Sequence, residues 1–311
     1  MVGQKRGFDP ILPRCESWVF LIDAKLVVGS TIGSRTVICP FADEKGLCSD
    51  SDRFAVICPN ALGSTYGTTG PSSIKPGTGR PYGSSFPDIT MRDVVASQKR
   101  LLDALGIDRL TAVVGPSFGG MQALQWAVDY PKMMRGIVAA LTTVGAPPNN
   151  LEGVRAGLAG DPAWNNGDYY EQGNLMETLV PMRVGMLKSY GVDHTLAQEI
   201  PDPDRREAVM AARARQWATD FDANSLLSIM RTMTTFDVSQ ELGRIEAPVL
   251  YVLSRTDKFF PPTLAPDAMA RFREAGVEAS YFEIDSENGH GASSIDAALW
   301  GPVMKEFVER L

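Results

Sequence analysis

The segment TAVVGPSFGGMQALQWAVDYPKMM, residues 111–134, joins a strand pattern, a glycine-rich turn and a helix pattern. Thr111 to Val114 is short, apolar and β-rich, so we expect a buried strand there. The helix pattern follows the turn, and Pro131 marks its end. The turn reads Gly115-Pro116-Ser117-Phe118-Gly119, and Gly-x-Ser-x-Gly between a strand and a helix is the nucleophile-elbow motif. The sequence therefore predicts Ser117 at the tip of a tight turn, and disfavours an idle serine in a glycine-rich loop.

Small residues surround the predicted nucleophile, as a tight turn between strand and helix requires. Gly115 and Gly119 leave room on both sides of Ser117, and Gly120 allows the helix to approach the sheet closely. The positive end of the helix dipole would then lie beside the serine hydroxyl. These features support the elbow over an ordinary turn.

Length and charge limit the classes of function. The chain has 311 residues, which suits one α/β domain of roughly 200–250 residues with an insertion. Its net charge of −7 gives no reason to expect nucleic acid or an anionic membrane as a partner. No apolar run approaches the ~18 residues of a membrane span. Lys5 and Arg6 are not followed by the apolar region of a signal peptide, so we expect a cytoplasmic protein.

The cysteines indicate neither a zinc site nor a redox motif, because none forms a Cys-x-x-Cys pair. Two of them lie in identical Val-Ile-Cys-Pro runs, where we expect strand residues whose buried thiols act as small hydrophobic groups. This usage favours a reducing compartment. The four cysteines are Cys15, Cys39, Cys48 and Cys58.

Strand and helix patterns alternate through much of the chain, which predicts a mostly parallel α/β sheet. Residues 60–87 form a long loop rich in Gly, Ser, Thr and Pro, and loops of that length in compact domains are usually functional. We expect helices from Thr90 to Gly106 and from Ala297 to Leu311. Further strands are expected at Trp18–Ile22 and Lys25–Gly29 as a hairpin, and at Arg35–Cys39, Phe54–Cys58, Gly136–Leu141, Pro248–Leu253 and Ala279–Ile284.

Residues 145–240 contain helix patterns and no convincing strand, so we interpret them as a helical insertion, here called the cap. The clearest helices are Val180–Tyr190, Arg205–Phe221 and Ser225–Met233. Residues 1–144 and 241–311 would then form the α/β core. The cap would cover the carboxyl ends of the strands, where ligands bind in such sheets.

A serine hydroxyl needs an adjacent base to act as a nucleophile, and this chain contains only two histidines. His290 follows the last predicted strand and is flanked by Gly289 and Gly291, which suits the base of a Ser–acid–His order. His194 lies within the cap and is expected to be an ordinary cap or surface residue. We therefore predict His290 as the base.

The acid should follow the preceding strand, where it can hold the base in the required tautomer. Val249 to Leu253 leads into Ser254-Arg255-Thr256-Asp257, so Asp257 is the candidate. An aspartate in an ordinary turn is the alternative interpretation. Asp285 is the reserve candidate, because it also follows a strand.

An oxyanion hole requires two backbone N–H groups. One should come from Phe118, the residue after the nucleophile. The other should come from the loop after an earlier strand, at Phe41 or Ala42, because Pro40 has no N–H group.

With these residues in place, the chain resembles the homoserine O-acetyltransferase family, whose members have the α/β-hydrolase fold. The resemblance runs from about residue 54 to the end of the chain, and motifs in the same order along two chains are specific. Asp257 to Pro262 and Gly289-His290 match the family's acid and base segments. Three further segments carry the resemblance: Gly67–Ser73 with Gly79–Gly83, the elbow with Gly119–Leu124, and Phe221–Ser225 continuing to Phe236–Val238.

The resemblance implies a ping-pong reaction, in which the serine takes an acyl group from acyl-CoA and passes it to a small alcohol. Acetyl-CoA would be a co-substrate, and no bound cofactor is expected. The family's cap often mediates dimerisation, which implies a homodimer. Arg183 resembles a family arginine that reaches toward the acceptor's carboxylate, although the residues alone leave a solvated cap arginine equally open. We assign Arg183, Tyr190 and Gly291 to the substrate-binding set.

Three departures from the family pattern bear on the reaction. The family typically has an aspartate directly after the base, where this chain has Gly291. Pro116 and Phe118 replace the usual Gly and Met of the elbow. Only Phe41 to Arg53 separate two strands that the family joins by a longer loop. Loss of the aspartate would weaken recognition of an amine in the acceptor.

Three functions remain after these observations. The first is an O-acetyltransferase that acts on a small hydroxyl compound. The second is a carboxylic ester hydrolase, in which water resolves the same acyl-enzyme. The third is a non-catalytic member that binds ligands only, which the three residues Ser117, Asp257 and His290 argue against. We expect no metal requirement, because this mechanism needs none and the chain offers few ligands.

Overall fold

The structure is a computed structural model that describes residues 19–23 and 54–311. In this part of the chain, six strands form one sheet: β1 (Val19–Asp23), β2 (Phe54–Ile57), β3 (Leu110–Pro116), β4 (Met134–Ala140), β5 (Val249–Ser254) and β6 (Ala279–Ile284). Their order is β2-β1-β3-β4-β5-β6. Strands β3 to β6 are parallel, and β1 is antiparallel to both of its neighbours. The predicted, mostly parallel α/β sheet is confirmed.

Helices alternate with the parallel strands and also fill the segment between β4 and β5. The α-helices of the described residues are α1 (Met91–Ala104), α2 (Phe118–Asp129), α3 (Leu151–Ala159), α4 (Met176–Ser189), α5 (Val192–Glu199), α6 (Pro203–Asp220), α7 (Ala223–Thr234), α8 (Ala265–Glu274), α9 (Ala292–Ile295) and α10 (Ala297–Glu309). Helices α3 to α7 lie within residues 145–240, where the sequence indicated helices and no strand. The division of the chain into a core and a cap domain stays a prediction.

Apolar residues cover both faces of the central parallel strands β3, β4 and β5. Every residue of β5 is buried, and so are the first six residues of β3. Helices α1, α2 and α8 pack on one face, where Trp126 and Phe272 are fully enclosed. Helix α10 packs on the other face through Trp300 and Met304. A separate apolar cluster, which includes Leu179 and Ala214, lies among the cap helices.

The helix boundaries follow the capping chemistry more closely than the apolar pattern. Thr90 and Asp93 form the reciprocal capping box that begins α1. Asp202 caps α6, so that helix begins at Pro203 rather than Arg205. Helix α4 begins at Met176 rather than Val180 and continues through Pro181. A proline usually marks the first turn of a helix, which is why the sequence suggested a later start.

Several predicted features lie outside the described residues: the strands Lys25–Gly29 and Arg35–Cys39, the oxyanion candidates Phe41 and Ala42, and Cys15, Cys39 and Cys48. Cys58 is among the described residues, and the expectation that it lies in a strand with a buried thiol is wrong. The residue directly follows β2 and is partly exposed. Among the described residues, β2 pairs with β1 only.

The long loop of residues 60–87 connects the core to the cap. Thr65 accepts a hydrogen bond at its Oγ1 from the backbone N–H of Asp222 (3.2 Å). Arg80 forms an ion pair with Asp168 at 3.0 Å. Within the loop, Ile74 and Pro81 form an isolated antiparallel bridge. None of the helices within residues 54–311 is long and apolar enough to cross a membrane.

Candidate active site

Ser117 lies at the sharp turn between β3 and α2, in a backbone conformation that few non-glycine residues adopt. Its φ is 55° and its ψ is −124°. Its backbone N–H donates to the carbonyl of Ala140 on the neighbouring strand at 2.8 Å, which fixes the turn to the sheet. A Cβ at Gly115 would lie 2.4 Å from the carbonyl carbon of Gly119. The turn therefore requires glycine at that position.

Helix α2 lies close against β4 because Gly120 has no side chain. A Cβ there would lie 2.6 Å from Cγ2 of Thr142 and 3.0 Å from the carbonyl oxygen of Ala140. Phe118 is the first residue of the helix, so its N–H belongs to the orphan donors of the helix N-terminus. This N–H is in the place expected of one oxyanion donor.

Buried amide side chains hold the start of α2 to α1. The Nε2 of Gln122 donates to the carbonyl of Phe118 at 3.3 Å. Its Oε1 accepts from Nε2 of Gln98 at 2.9 Å, and Oε1 of Gln98 accepts from the indole N–H of Trp126 at 2.8 Å. Gln98 and Gln122 are almost completely buried, so these bonds satisfy groups that water cannot reach.

The structure brings Ser117, His290 and Asp257 into one hydrogen-bonded chain. The Nε2 of His290 lies 2.8 Å from the Oγ of Ser117, and its Nδ1 lies 2.7 Å from Oδ2 of Asp257. The three residues come from the ends of β3, β5 and β6, which are far apart in sequence. This order and geometry are those of a serine nucleophile, a base and an orienting acid.

Asp257 is held by its own turn as well as by the histidine. Its Oδ1 accepts from the backbone N–H groups of Phe259 (2.8 Å) and Phe260 (3.2 Å). The Asp257 side chain has no exposed area, and 11% of the His290 side chain is exposed. An aspartate in a turn was the alternative interpretation of this residue, and the two interpretations prove compatible: one oxygen forms the turn and the other contacts the base.

Aromatic rings surround the imidazole of His290. The ring centres of Phe259, Tyr190 and Phe260 lie 5.2, 5.5 and 5.7 Å from its centre. Tyr190 ends cap helix α4, whereas the two phenylalanines belong to the turn after Asp257. The rings leave little room for water around the imidazole on those sides. Phe259 is partly exposed, so this wall also reaches the surface.

The geometry agrees with the family to which the chain is similar. Residues 47–294 match the family described as alpha/beta hydrolase fold. Homoserine O-acetyltransferase from Symbiobacterium thermophilum is 36% identical over 291 residues, which are 86% of this chain and 76% of that protein. The chain belongs to the homoserine O-acetyltransferase family.

Solved structures extend the comparison. The homoserine O-acetyltransferase of Bacillus anthracis has a TM-score of 0.70 and 30% identity, covering 78% of this chain and 71% of that one. Esterase E22 has a TM-score of 0.73 and 27% identity, covering 83% and 79%. The chain spans 59% of the length of the homoserine O-acetyltransferase of Methanosalsum zhilinae, to which it is 33% identical over 289 residues. This chain thus resembles both a transferase and an esterase, with similar TM-scores.

The residues predicted for substrate binding in this family member lie together beside His290. Arg183 is 8% exposed, and its Cζ lies 4.9 Å from the ring centre of Trp217 and 6.0 Å from that of Tyr190. The alternative of a solvated cap arginine is therefore wrong. The N–H of Gly291 donates to the carbonyl of Tyr190 at 3.1 Å. Tyr190 thus contacts Arg183, Gly291 and the base.

The other candidates lie away from Ser117. His194 is an exposed residue of α5, as expected for an ordinary cap or surface position. Asp285 is exposed and accepts from Nε of Arg255 at 2.6 Å, so this reserve acid pairs with a surface arginine instead. The residues that the structure describes contain no cluster of three or more side chains suited to hold a metal ion. Metal independence stays a prediction.

The family segment Phe221–Ser225 has a structural position in the cap. The buried Asp222 caps α7 by accepting from the N–H groups of Asn224 (3.3 Å) and Ser225 (3.0 Å). It also accepts from the hydroxyls of Tyr169 and Tyr170. Burial, reinforced by the nearby Asp222 carboxylate, raises the pKa of Tyr169 far above its usual value, and the same causes raise the pKa of Tyr170. Both phenols therefore remain protonated donors.

Sequence reasoning missed several residues that support the site. The N–H donors of Phe259 and Phe260 could have been found, because an aspartate often bonds to backbone groups two residues further on. Thr195 and Asn288 were missed because neither lies in a motif. Thr195 donates at 2.7 Å to Oδ1 of Asn288, which lies two residues before His290 in the chain. No local pattern in sequence indicates a contact between residues so far apart.

Proposed function

We propose that this family member is a serine-dependent acyltransferase that moves an acetyl group from acetyl-CoA to a small hydroxyl compound. The hydrogen-bonded chain from Ser117 through His290 to Asp257 carries the proposal. The relatives named homoserine O-acetyltransferase support acetyl as the acyl group and homoserine as the reference acceptor. A purely ligand-binding member would have no need for a base at 2.8 Å from a strained serine.

The first half-reaction forms an acyl-enzyme. The Oγ of Ser117 attacks the thioester carbonyl carbon while Nε2 of His290 takes the hydroxyl proton. Asp257, which accepts from Nδ1 of the imidazole, stabilises the resulting imidazolium. The tetrahedral intermediate then breaks its C–S bond, and His290 returns the proton to the departing thiolate. Ser117 is left as an ester, and free CoA is released.

The second half-reaction runs the same steps toward the acceptor. The acceptor hydroxyl gives its proton to Nε2 of His290 as its oxygen attacks the acyl carbon of the Ser117 ester. When the intermediate collapses, the bond between the acyl carbon and Oγ breaks, and His290 protonates Oγ. The products are the O-acyl acceptor and the regenerated serine. Water in the place of the acceptor would give hydrolysis by identical steps.

Charge on the carbonyl oxygen develops in both half-reactions and needs donors that are already in place. The N–H of Phe118 supplies one, because it opens α2 and its residue is held by the Gln122 side chain. We propose Phe41 or Ala42 for the second donor. Removal of one such donor typically costs about 10²- to 10³-fold in kcat.

Arg183 supports an acceptor that carries a carboxylate. Its guanidinium is buried in the cap against Trp217 and against Tyr190, whose ring also contacts that of His290. An arginine in a largely desolvated wall is suited to bind a carboxylate with directed hydrogen bonds. Homoserine has such a group, but its ammonium would lack the aspartate that the family typically places at position 291.

Ester hydrolysis is the second candidate, and two observations favour it. Gly291 offers no charge to an amine-bearing acceptor, and the chain is as similar in structure to esterase E22 as to the transferase of Bacillus anthracis. Both functions use the same acyl-enzyme, so the fate of that intermediate distinguishes them.

A partition experiment tests the proposal. Purified protein is given acetyl-CoA with and without homoserine, and CoA release and O-acetylhomoserine are both quantified. A transferase releases CoA with equal amounts of O-acetylated acceptor, and release falls sharply without an acceptor. Equal CoA release in both conditions, with acetate as the product, would replace the transferase by a hydrolase. The Ser117→Ala variant serves as the blank, and p-nitrophenyl acetate measures acylation with no dependence on CoA binding.

The remaining parts of the proposal concern the partners of the enzyme and its cellular location. Its partners would be small-molecule substrates and a second copy of the chain, bound through the cap. The cysteine spacing in the sequence supports a reducing, cytoplasmic location. Size-exclusion chromatography with light scattering would show a homodimer, and a monomer at micromolar concentration would remove that part.

A further inference from the structure

The residues on both sides of His290 contact a single turn of the cap, formed by residues 190–195. On one side, the carbonyl of Tyr190 accepts from the N–H of Gly291 at 3.1 Å. On the other side, Oγ1 of Thr195 donates to Oδ1 of Asn288 at 2.7 Å. The cap turn therefore contacts the base segment immediately before and immediately after the histidine.

The backbones of the two segments also approach closely. Gly191 has a φ of +89°, and a Cβ at that position would lie 2.8 Å from the carbonyl oxygen of Asn288. Any other residue would strain the turn and push the two segments apart. Gly191 also precedes α5, the helix that carries Thr195. The turn thus fits the base segment in shape as well as in hydrogen bonding.

Asn288 connects this cap turn to the core. Its Nδ2 donates to Oδ2 of Asp296 at 2.8 Å, and its backbone N–H donates to Oγ of Ser286 at 2.8 Å. With Thr195 at its Oδ1, the amide has partners at both ends, and only 8% of the residue is exposed. The side chain therefore cannot rotate without breaking bonds to both the cap and the core.

We propose that Thr195 and Asn288 are positioning residues that make the placement of the catalytic base depend on the cap. The histidine lies between two glycines, and Gly289 has a φ of 56°, so the base segment has little conformational preference of its own. Proton transfer requires Nε2 within hydrogen-bond distance of Oγ of Ser117, and a small displacement there slows acylation. The inference rests on the proposed role of His290 as base.

Thr195→Val tests the contact, because valine keeps the shape and removes the hydroxyl. We expect kcat for p-nitrophenyl acetate to fall about 3- to 10-fold, the range that loss of one neutral hydrogen bond allows. KM should stay within about twofold of the wild type. Thr195→Ser should restore kcat, because serine keeps the donor. The rate at which a fluorophosphonate probe labels Ser117 should fall in parallel with kcat.

Thr219→Val is the matched control. Thr219 is an exposed residue of cap helix α6, and its Oγ1 donates to the carbonyl of Arg215 four residues earlier rather than to the base segment. It should leave kcat and labelling unchanged. Thermal unfolding is measured for every variant, and the kinetics are measured at a temperature where each variant remains folded. Should valine prevent folding, Thr195→Ala replaces it with the same expected loss and the same rescue by serine.

Two outcomes would overturn the inference. The first is a Thr195→Val enzyme with wild-type kcat and labelling rate. The second is a loss that serine does not restore, or that the Thr219→Val control shares. His290→Ala separates this failure from failure of the proposed function. If that variant labels as fast as the wild type, the base assignment is wrong; if it does not label while Thr195→Val is normal, only the role of the cap turn is wrong.

Discussion

Two buried aspartates, Asp257 and Asp222, use the same local chemistry for different ends. Each accepts from backbone N–H groups two and three residues further along the chain. Asp257 leaves its second oxygen to His290, which continues to Ser117. The other hydrogen bonds to the Asp222 carboxylate come from the hydroxyls of the buried Tyr169, the half-buried Tyr170 and Ser225. The two phenols in turn accept from the backbone N–H of Ala223 and from Nδ2 of Asn224.

The difference shows how the same turn can serve reactivity or stability. The network of Asp257 ends on Ser117, a nucleophile in a strained conformation, whose hydroxyl proton His290 can accept. The network of Asp222 includes the phenols of Tyr169 and Tyr170, whose pKa values are raised by burial, so both groups keep their protons and donate to the carboxylate. Substitutions in the Asp257 network should lower kcat with little effect on the free energy of unfolding. Substitutions in the Asp222 network should lower the free energy of unfolding with little effect on kcat.

Ser117→Ala should have the largest effect on rate, because no acyl-enzyme can form without its hydroxyl. The expected loss is on the order of 10³-fold or more in kcat. His290→Ala should be about as damaging, because the two groups act as a unit. The measurement is p-nitrophenyl acetate turnover beside thermal unfolding, and both variants should unfold within a few degrees of the wild type.

His194→Ala is the matched control for the histidine, since His194 is exposed on α5. It should retain the wild-type rate. If His194→Ala proved the more damaging of the two, the assignment of the base would be wrong. Near-normal turnover by Ser117→Ala would remove the serine mechanism altogether.

Local chemistry accounts for what the sequence predicted well. The elbow was predictable because sterics around Gly115 and Gly120 allow one solution for a serine between strand and helix. The acid and base were predictable because both follow the carboxyl ends of neighbouring parallel strands. The partners of Thr195 and Asn288 were not predictable, because a contact across 93 positions depends on how the cap folds back. Helices α3 and α5 were missed because they are short, with few apolar positions to reveal a period.

Asp222→Ala should have the largest effect on stability. It removes the cap of α7 and leaves Tyr169 and Tyr170 without their buried acceptor, so we expect a loss of about 2–4 kcal/mol in the free energy of unfolding. Asp202→Ala is the control, since that exposed aspartate caps α6 through Asp204 and Arg205 only. It should lose about 1 kcal/mol.

Chemical denaturation measures both variants, and kcat is measured on the folded fraction. The Asp222→Ala enzyme should keep the wild-type kcat per folded molecule. If it instead lost activity as Ser117→Ala does, without loss of stability, the contrast between the two aspartates would be wrong.

Gly291→Asp should change specificity and leave the triad unchanged. A substrate ammonium without a charged partner forfeits a hydrogen bond of roughly 1.5–3 kcal/mol, which is about 10- to 150-fold in discrimination. The φ of Gly291 is −74°, so other residues fit the backbone, and a Cβ would meet only the end of the Ile295 side chain at 2.8 Å and the carbonyl of Tyr190 at 3.4 Å. We expect kcat/KM for homoserine to rise relative to a neutral alcohol of similar size.

Gly291→Ala is the control for this substitution, because it adds the same Cβ without a charge. It should leave the ratio of the two kcat/KM values unchanged. A wild-type enzyme that already strongly prefers homoserine would show that another residue binds the amine.

The smallest effect should be an alkaline loss of stability that depends on Tyr169. Burial and the Asp222 carboxylate raise its pKa in the folded state. The folded protein therefore keeps this proton at a pH where the unfolded chain, with a tyrosine pKa near 10, releases it. Its contribution to stability is present below about pH 10 and is lost as the pH rises above that value. Between pH 9 and pH 10.5 the loss should amount to less than about 1 kcal/mol from this residue.

Denaturant unfolding at pH 8, 9, 10 and 10.5 would measure this loss in the wild type and in Tyr169→Phe. The variant is less stable at pH 8, because it loses the bond to Asp222, but its stability should fall less steeply with pH. Tyr170→Phe should behave in the same way, because its phenol donates to the same carboxylate. If the free energy of unfolding fell equally steeply with pH in the wild type and both variants, the two phenols would titrate as they do in the unfolded chain. The difference between the Asp222 network and the network of Asp257 would then lie only in the absence of a nucleophile.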